Sequence, residues 1–336
     1  MRKLIPAALA ACLPLLLSAA GPKTAYNRYG MTIVEKDGAY IVPGTDAGRY
    51  RALGIDLYNL KDLCVPFEAP VPASYDKAAM KEVKTEDFVY KTYPDGRQLL
   101  LSVDYAVSEK RTPVMVYIYG GGWRRGSRAS FEKMSKSLAK NEKITGVRIE
   151  YSKISDGVTM EQTIGDVCDA VNFIREHAAE LNVDPSHMGF MGSSAGGHLS
   201  AVAAMKFPQT KVLVGLYGAY DIELVTASYI PGETSNRYQP YYKFFNGYDP
   251  DYLHKVSPIY MVDDPSNTAV ILFQGTGDIT VPPLSIKLFS KALKKAGVRK
   301  LKVIEYDYVT HSIGRSWCGA DMIDRSCKFI VDNIRK

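Results

Sequence analysis

The sequence has no strong excess of either charge. Its 336 residues include 42 Lys and Arg against 36 Asp and Glu, which leaves a formal net charge of +6. A protein that binds nucleic acid through its surface charge is usually far more basic. The composition therefore does not favour a nucleic-acid partner, and with 46% hydrophobic and 23% charged residues it is typical of a globular chain.

The sequence also lacks an apolar run of membrane-spanning length. Its amino-terminal run, Leu4–Leu17, has 14 residues and two prolines, whereas a transmembrane helix needs about 20 residues. Arg2 and Lys3 precede this run and small residues follow it, as in a secretory signal peptide. We therefore predict a signal peptide over residues 1–20 and an exported protein, periplasmic or extracellular. A lipid anchor on Cys12 is the alternative.

Cysteine is scarce, with five in the chain. Removal of the leader would leave Cys64, Cys168, Cys318 and Cys327. An even number of cysteines in an exported protein is compatible with one or two disulfides, but the sequence does not select among the three full pairings. Buried free thiols at Cys168 and Cys327 are the alternative.

From residue 114 onward, short β-branched or aromatic runs alternate with amphipathic segments. Over Met160–Leu181 the apolar residues are spaced alternately by four and three, which places them on one helix face. Strands that alternate with helices predict an α/β fold, with a mostly parallel sheet covered on both faces. The predicted strands are Val114–Tyr119, Gly146–Tyr151, Met188–Met191, Val212–Leu216, Ala269–Phe273 and Leu301–Tyr306.

Other regions stand outside this alternation. Residues 21–82 are rich in Tyr, Pro and Gly and contain a hairpin pattern at Thr32–Val42; we expect an amino-terminal extension packed on a main domain over residues 83–336. A second hairpin is predicted at the front of that domain, across Pro94-Asp95-Gly96. Residues 221–264 lie between two predicted strands and are rich in aromatic rings. We predict that they form a cap over the carboxyl edge of the sheet, where ligands bind in α/β folds.

The stretch Gly192-Ser193-Ser194-Ala195-Gly196 follows one predicted strand and opens a small-residue helix. A serine with glycine two residues before and two after it is the nucleophile-elbow pattern, in which a strained turn holds the hydroxyl out over the sheet edge. Ser194 has glycine at both positions and Ser193 does not. We therefore predict Ser194 as the nucleophile.

Serine is a poor nucleophile at neutral pH, so Ser194 needs a base and a carboxylate that orients the base. His311 follows the last predicted strand, and Asp278 follows the strand before it on a Gly-rich loop. The chain order Ser194, Asp278, His311 is that of α/β-hydrolases, and not that of chymotrypsin or subtilisin. His198 lies one helical turn from the serine, where we expect it to pack or cap.

The tetrahedral intermediate of acyl transfer needs N–H donors for its oxyanion. Tyr119-Gly120-Gly121-Gly122-Trp123 comes at the end of a predicted buried strand, and its three glycines allow the backbone to turn amides inward. We predict an oxyanion hole from the amides of Gly121, Gly122 and Ala195. Tyr119 and Trp123 are predicted to contact the substrate.

The segments YGGGW, GSSAGGHL, GTGDITVP and THS, with Ser257-Pro258 after the insertion, resemble α/β-hydrolases of the hormone-sensitive-lipase and bacterial esterase type, including relatives with acetylxylan and feruloyl esterase activity. The resemblance extends from about Val83 to the end of the sequence. It implies the α/β-hydrolase fold and hydrolysis of a carboxylic ester through an acyl-serine intermediate, without a metal or cofactor. One departure is Tyr119, where that group usually has a loop-supporting His. We expect an altered oxyanion loop with the triad retained.

The leader, the aromatic insertion and the resemblance together favour an esterase that removes acetyl or feruloyl groups from a polysaccharide or acts on a smaller ester. Two alternatives remain open, a serine peptidase or amidase of the prolyl-oligopeptidase type and a non-catalytic binding protein on a hydrolase fold. Residues 21–82 are too few for a propeller-sized domain, so we expect an esterase rather than a peptidase. Arg124, Arg125 and Arg128 are candidates for contact with an acidic substrate, with a solvated loop as the alternative.

Overall fold

The computed structural model describes residues 82–227, 239–263, 267–307, 309–311, 313–316 and 318–336, together with the backbone of four short strands between residues 25 and 64. The predicted leader with Cys12, and two cap tyrosines, Tyr229 and Tyr238, lie outside the described residues. The chain forms two compact units. The first includes the four short strands, Gly275–Asp278 and the described residues of Glu305–Asp324, and the second contains Ser74–Gln274, Ile279–Ile304 and Arg325–Lys336.

In the first unit, the short strands form an antiparallel sheet with the order β3-β2-β1-β4. Lys36 at the end of β2 pairs with Ala39 at the start of β3, which leaves two residues for the connection. The hairpin predicted at Thr32–Val42 is therefore confirmed. The strands are β1 (Ala25–Asn27), β2 (Thr32–Lys36), β3 (Ala39–Ile41) and β4 (Leu63–Cys64).

Most of the second sheet belongs to the second unit. It has eight strands in the order β12-β11-β10-β9-β7-β8-β6-β5. Its centre is parallel, from β8 through β7, β9 and β10 to β11, and β5 and β6 are antiparallel at one side. The predicted α/β sheet and its front hairpin are confirmed. The strands are β5 (Thr85–Thr92), β6 (Gln98–Asp104), β7 (Thr112–Ile118), β8 (Thr145–Ile149), β9 (Val183–Ser193), β10 (Val212–Leu216), β11 (Ala269–Gly275) and β12 (Leu301–Tyr306).

Helices alternate with these strands. The longest predicted stripe begins at Met160, where Thr159 and Gln162 form a reciprocal capping box. The helix ends at Glu176, and the last stripe residue, Leu181, is buried in the turn that follows. The helices are α1 (Glu132–Glu142), α2 (Met160–Glu176), α3 (Ala195–Lys206), α4 (Ile222–Ala227), α5 (Gln239–Phe244), α6 (Pro250–Val256), α7 (Pro283–Lys295) and α8 (Gly319–Asn333). In the described part of the chain, none of the helices has the length and apolarity needed to cross a membrane.

Burial along the strands follows their place in the sheet. All residues of the central strand β10 are buried, as expected where helices cover both faces. The edge strand β5 instead alternates between exposed and half-buried residues. The buried centre of the sheet fixes the positions at which its strands end, and the turn with Ser194 follows one of these ends.

The antiparallel side of the sheet contains a buried ion pair. Arg148 donates to Asp104 from Nε at 2.7 Å and from Nη2 at 3.0 Å. Arg128 packs nearby, where it pairs with Asp87 at 2.9 Å and with Glu150 at 3.6 Å. Arg128 therefore stabilises this side of the sheet, and its contact with an acidic substrate stays a prediction.

The described cysteines include free thiols. Cys168 is half-buried against the core and Cys318 is fully buried. Burial raises the pKa of both thiols, that of Cys318 to about 11. Two disulfides would need all four cysteines, so that alternative is wrong, and the free thiol expected at Cys168 is confirmed.

Candidate active site

Ser194 is the single residue of a tight turn between β9 and α3. Its φ of 54° and ψ of −118° lie in a region that residues with a side chain rarely adopt. The Ser194 N–H donates to the carbonyl of Leu216 at 2.8 Å, and its own carbonyl accepts the N–H of His198 at 3.0 Å. The neighbouring strand and the first helical turn thus hold the strained backbone in place.

The flanking glycines are required by close backbone contacts. A Cβ atom on Gly192 would lie 2.1 Å from the carbonyl oxygen of Gly196. One on Gly196 would lie 2.0 Å from the carbonyl oxygen of Ile118. Ser193, in contrast, is an ordinary strand residue that pairs with Leu216. The predicted motif is therefore a physical elbow with Ser194 at its apex.

The glycine loop, Tyr119–Trp123, packs directly on this elbow. A Cβ on Gly120 would lie 2.4 Å from the carbonyl oxygen of Ser193, so the two backbones are in contact. Gly121 and Gly122 have φ of 130° and 61°, values that favour glycine. Among the described residues, the amides of Gly121 and Gly122 donate to no carbonyl or side chain. They and the Ala195 amide, at the first residue of α3, are the predicted donors of an oxyanion hole.

Tyr119 is buried, and its ring supports the loop from behind. It stacks on Tyr151 with 4.5 Å between ring centroids, and the Tyr151 hydroxyl donates to the Tyr119 carbonyl at 2.9 Å. Burial raises the pKa of the Tyr119 phenol well above its usual value. The ring has no exposed face for a substrate, so the predicted contact is corrected to support of the loop. The tyrosine thus stands where the related esterases usually have a supporting histidine.

Trp123 is also buried, against His198 and the cap residues Phe244 and Phe245. Its indole N–H donates to His198 Nδ1 at 3.3 Å, and His198 Nε2 lies 2.7 Å from the carbonyl oxygen of Val256. Because a carbonyl only accepts, Nε2 carries the proton and the ring is neutral. Burial lowers the pKa of His198 to about 4. His198 packs, as predicted, and Trp123 supports the loop where contact with substrate was predicted.

Two tyrosines near the elbow were not among the predicted site residues, although Tyr241 belongs to the aromatic insertion. Tyr217 follows β10 with φ of 42°, is half-exposed, and donates its N–H to Phe273 at 2.7 Å. Tyr241, on the cap helix α5, donates its hydroxyl to the Gly122 carbonyl at 3.0 Å. The positive φ of Tyr217 is rare for a bulky residue, so the sequence did not predict it. The contact of Tyr241 with Gly122 joins residues 119 positions apart and depends on the folded cap.

The predicted base and acid are hydrogen-bonded within the first unit. His311 Nδ1 lies 2.7 Å from Asp278 Oδ2, and the Asp278 side chain is fully buried. Because the carboxylate accepts, Nδ1 is the donor to Asp278, which leaves Nε2 as the nitrogen that can accept a proton. The loop that bears Asp278 is held by the N–H of Gly277, which donates to the carbonyl oxygen of Val309 at 3.0 Å. Gly275 must be glycine, since a Cβ there would lie 2.0 Å from the Val309 oxygen.

The structure thus groups the predicted residues in two sets. Asp278 and His311 are paired in the first unit, and the elbow with Ser194 and the glycine loop lie together in the second.

Comparison with known proteins identifies the family of the chain. The BD-FAE family model matches residues 104–293, more than half of the chain. The chain belongs to the BD-FAE family. The resemblance to esterases of the α/β-hydrolase fold is confirmed.

Several relatives of this BD-FAE family chain are esterases by name. It is 28% identical over 249 residues to esterase LipQ of Mycobacterium tuberculosis. The matched residues cover 68% of this chain and 57% of that protein. It is 26% identical over 226 residues to a probable isoprenylcysteine alpha-carbonyl methylesterase of Oryza sativa subsp. japonica, over 61% of this chain and 52% of that protein. The chain spans about half the length of the curated relatives it matches.

A solved structure is similar over most of its length. The thermophilic esterase of Thermogutta terrifontis with bound propionate superposes with a TM-score of 0.61 at 25% identity, over 75% of this chain and 95% of that one. The α/β-hydrolase fold of this BD-FAE family protein is therefore established by both its sheet and its relatives.

Proposed function

We propose that this protein is a serine esterase that hydrolyses carboxylic esters through an acyl-serine intermediate. The observation that carries the proposal is the strained elbow at Ser194 with a glycine loop packed on it, whose Gly121 and Gly122 amides have no acceptor among the described residues. Unsatisfied donors beside a strained serine suit a negative charge that exists only during the reaction.

The proposed proton path uses the pair in the first unit. His311 Nε2 takes the proton of Ser194 Oγ as that oxygen attacks the ester carbonyl carbon, and Asp278 stabilises the imidazolium. When the tetrahedral intermediate collapses, the alcohol leaves with the proton from His311. A water molecule then repeats the sequence on the acyl-serine, which releases the acid and restores Ser194.

The oxyanion of both tetrahedral intermediates is assigned to the backbone amides of Gly121, Gly122 and Ala195. Loss of one such donor raises the barrier by about 2.7–4 kcal/mol in serine hydrolases. The Ala195 amide also lies at the amino end of α3, where the helix dipole favours negative charge.

For the substrate, we propose an acetyl or feruloyl ester of a polysaccharide, hydrolysed outside the cytoplasm. The leader pattern over residues 1–20 supports export, and the names of the relatives support an ester. The cap contributes less than its composition suggested, because Phe244 and Phe245 are buried against Trp123. These two rings belong to the hydrophobic core and are not surfaces for a sugar.

A serine pair tests the mechanism with a built-in control. Ser194→Ala is expected to abolish hydrolysis of p-nitrophenyl acetate and labelling by a fluorophosphonate probe. Ser193→Ala removes the adjacent hydroxyl in an ordinary strand residue and is expected to retain both. Full activity in Ser194→Ala, or no labelling of the folded wild-type protein, would overturn the proposal.

A substrate panel tests the rest of the proposal. Acetylated and feruloylated oligosaccharides are expected to be hydrolysed, and an aminoacyl-nitroanilide is expected to be a poor substrate. Faster turnover of the nitroanilide would replace the esterase with a peptidase. Hydrolysis of aryl acetates without any sugar ester would retain the esterase and exclude the polysaccharide.

A further inference from the structure

The cap touches the glycine loop through a tyrosine hydroxyl. Tyr241 lies on α5, and its hydroxyl donates to the carbonyl oxygen of Gly122 at 3.0 Å. The fit is close, because a Cβ on Gly122 would lie 2.8 Å from this hydroxyl. The carbonyl it holds belongs to the peptide that follows the Gly122 amide, one of the proposed oxyanion donors.

An oxyanion hole made of glycine amides needs something to hold it. Glycine peptides rotate with little steric resistance, so an amide that points inward can turn away. The peptide between Gly121 and Gly122 is held through its carbonyl, which accepts the N–H groups of Arg124 and Arg125, both at 3.2 Å. Because the peptide is planar and trans, the Gly122 N–H points to the opposite side, but these bonds leave the ψ angle of Gly122 unconstrained.

The next peptide is the one that Tyr241 holds. With the carbonyls on both sides of Gly122 engaged, its φ and ψ are both constrained. The Trp123 carbonyl in turn accepts the N–H of Ile154 at 2.9 Å, and the Trp123 indole is bonded to His198. The Gly121 and Trp123 carbonyls are thus held by backbone N–H groups. Without the Tyr241 hydroxyl, the Gly122 carbonyl between them would lose the hydrogen bond that holds it.

We propose that Tyr241 is a positioning residue of the oxyanion hole. Its hydroxyl fixes the peptide between Gly122 and Trp123 and thereby keeps the Gly122 amide aimed at the developing oxyanion. The cap is then part of the catalytic apparatus, since a displacement of α5 would release this peptide. The inference rests on the proposed esterase function.

The test removes a single hydroxyl. Tyr241→Phe keeps the ring, which packs against Phe245, and Tyr242→Phe makes the same change on the adjacent, exposed cap residue. For Tyr241→Phe we expect kcat on p-nitrophenyl acetate to fall about fivefold to tenfold, as for loss of one hydrogen bond, with KM within about twofold. The inhibition constant of a trifluoromethyl ketone, which forms a tetrahedral oxyanion on the serine, should rise by a similar factor. Tyr242→Phe should match the wild type in kcat and Tm, and Tyr241→Phe should remain folded, with a Tm lower by only about 2–4 °C.

The outcomes separate the inference from the function beneath it. An active wild type with an unchanged kcat and inhibition constant in Tyr241→Phe overturns the positioning role. A loss confined to KM, or an equal loss in Tyr242→Phe, also overturns it, because either would indicate a general disturbance of the cap. A wild type that neither hydrolyses esters nor reacts with a fluorophosphonate overturns the esterase function and this inference together.

Discussion

The elbow at Ser194 and the glycine loop beside it hold unusual backbone in two different ways. The elbow is fixed by main-chain contacts, through the bonds of Ser194 to Leu216 and His198 and through close backbone approaches that only glycine permits. The loop is fixed by residues distant in the chain, among them Tyr151 and the cap residue Tyr241. Main-chain contacts therefore hold the elbow, whereas side-chain hydroxyls help to hold the loop.

The largest expected effect comes from adding a methyl group to the elbow. In Gly196→Ala the new Cβ meets the Ile118 oxygen at 2.0 Å, and strand and helix must separate to admit it. We expect the free energy of unfolding to fall by at least about 3 kcal/mol, with loss of activity.

Gly165→Ala provides the matched control for this substitution. Gly165 lies in α2, and a Cβ there meets nothing within 4 Å. Alanine at this position should raise the stability by about 0.5–1 kcal/mol, because it favours the helix. Urea denaturation measures both variants. Equal stability of the two would show that the elbow has room for a methyl group, which would remove the contrast with the loop.

Acid is expected to weaken the link between the loop and the cap. Burial lowers the pKa of His198 to about 4, below the value of an exposed histidine, so between those values the unfolded chain binds the additional proton. The stability that depends on neutral His198 is fully present above the pKa of this histidine in the unfolded chain. It is lost as the pH falls to the pKa of the folded state, about 4. The shift corresponds to about 3 kcal/mol of stability.

Urea denaturation at several pH values between about 4 and 6.5 measures this loss of stability. The wild type should lose stability steadily on acidification, in excess of the loss shown by His198→Gln, which can still donate and accept but does not titrate. Parallel curves for the two proteins would mean that His198 is not a buried neutral link between Trp123 and Val256.

The same contrast explains what the sequence could predict. The elbow is encoded by a motif of five adjacent residues, and Asp278 lies on a Gly-rich loop directly after a predicted strand, so local patterns were sufficient to single them out. The roles of Tyr119 and Trp123 depended on burial, which a pattern of types does not report. Tyr241 reaches Gly122 across 119 residues, so the contact exists only once the cap has folded.

The smallest expected effect concerns the other anchor of the glycine loop. Tyr151→Phe removes the hydroxyl that donates to the Tyr119 carbonyl at 2.9 Å and leaves the stacked rings in place. We expect a loss of about 1 kcal/mol in stability and a decrease in kcat smaller than that of Tyr241→Phe, because the carbonyls next to Gly122 stay held.

The double variant with Tyr241→Phe decides whether the loop is held as one body. If each anchor fixes its own peptide, the two effects on kcat add to within about 0.5 kcal/mol. If the loop moves as a unit, removal of one hydroxyl already releases it, and removal of the second decreases kcat little further. We expect addition, because the Gly121 carbonyl, which lies between the two anchored carbonyls of Tyr119 and Gly122, has hydrogen bonds of its own. A markedly smaller combined effect would mean that the glycine loop, like the elbow, behaves as a single rigid element.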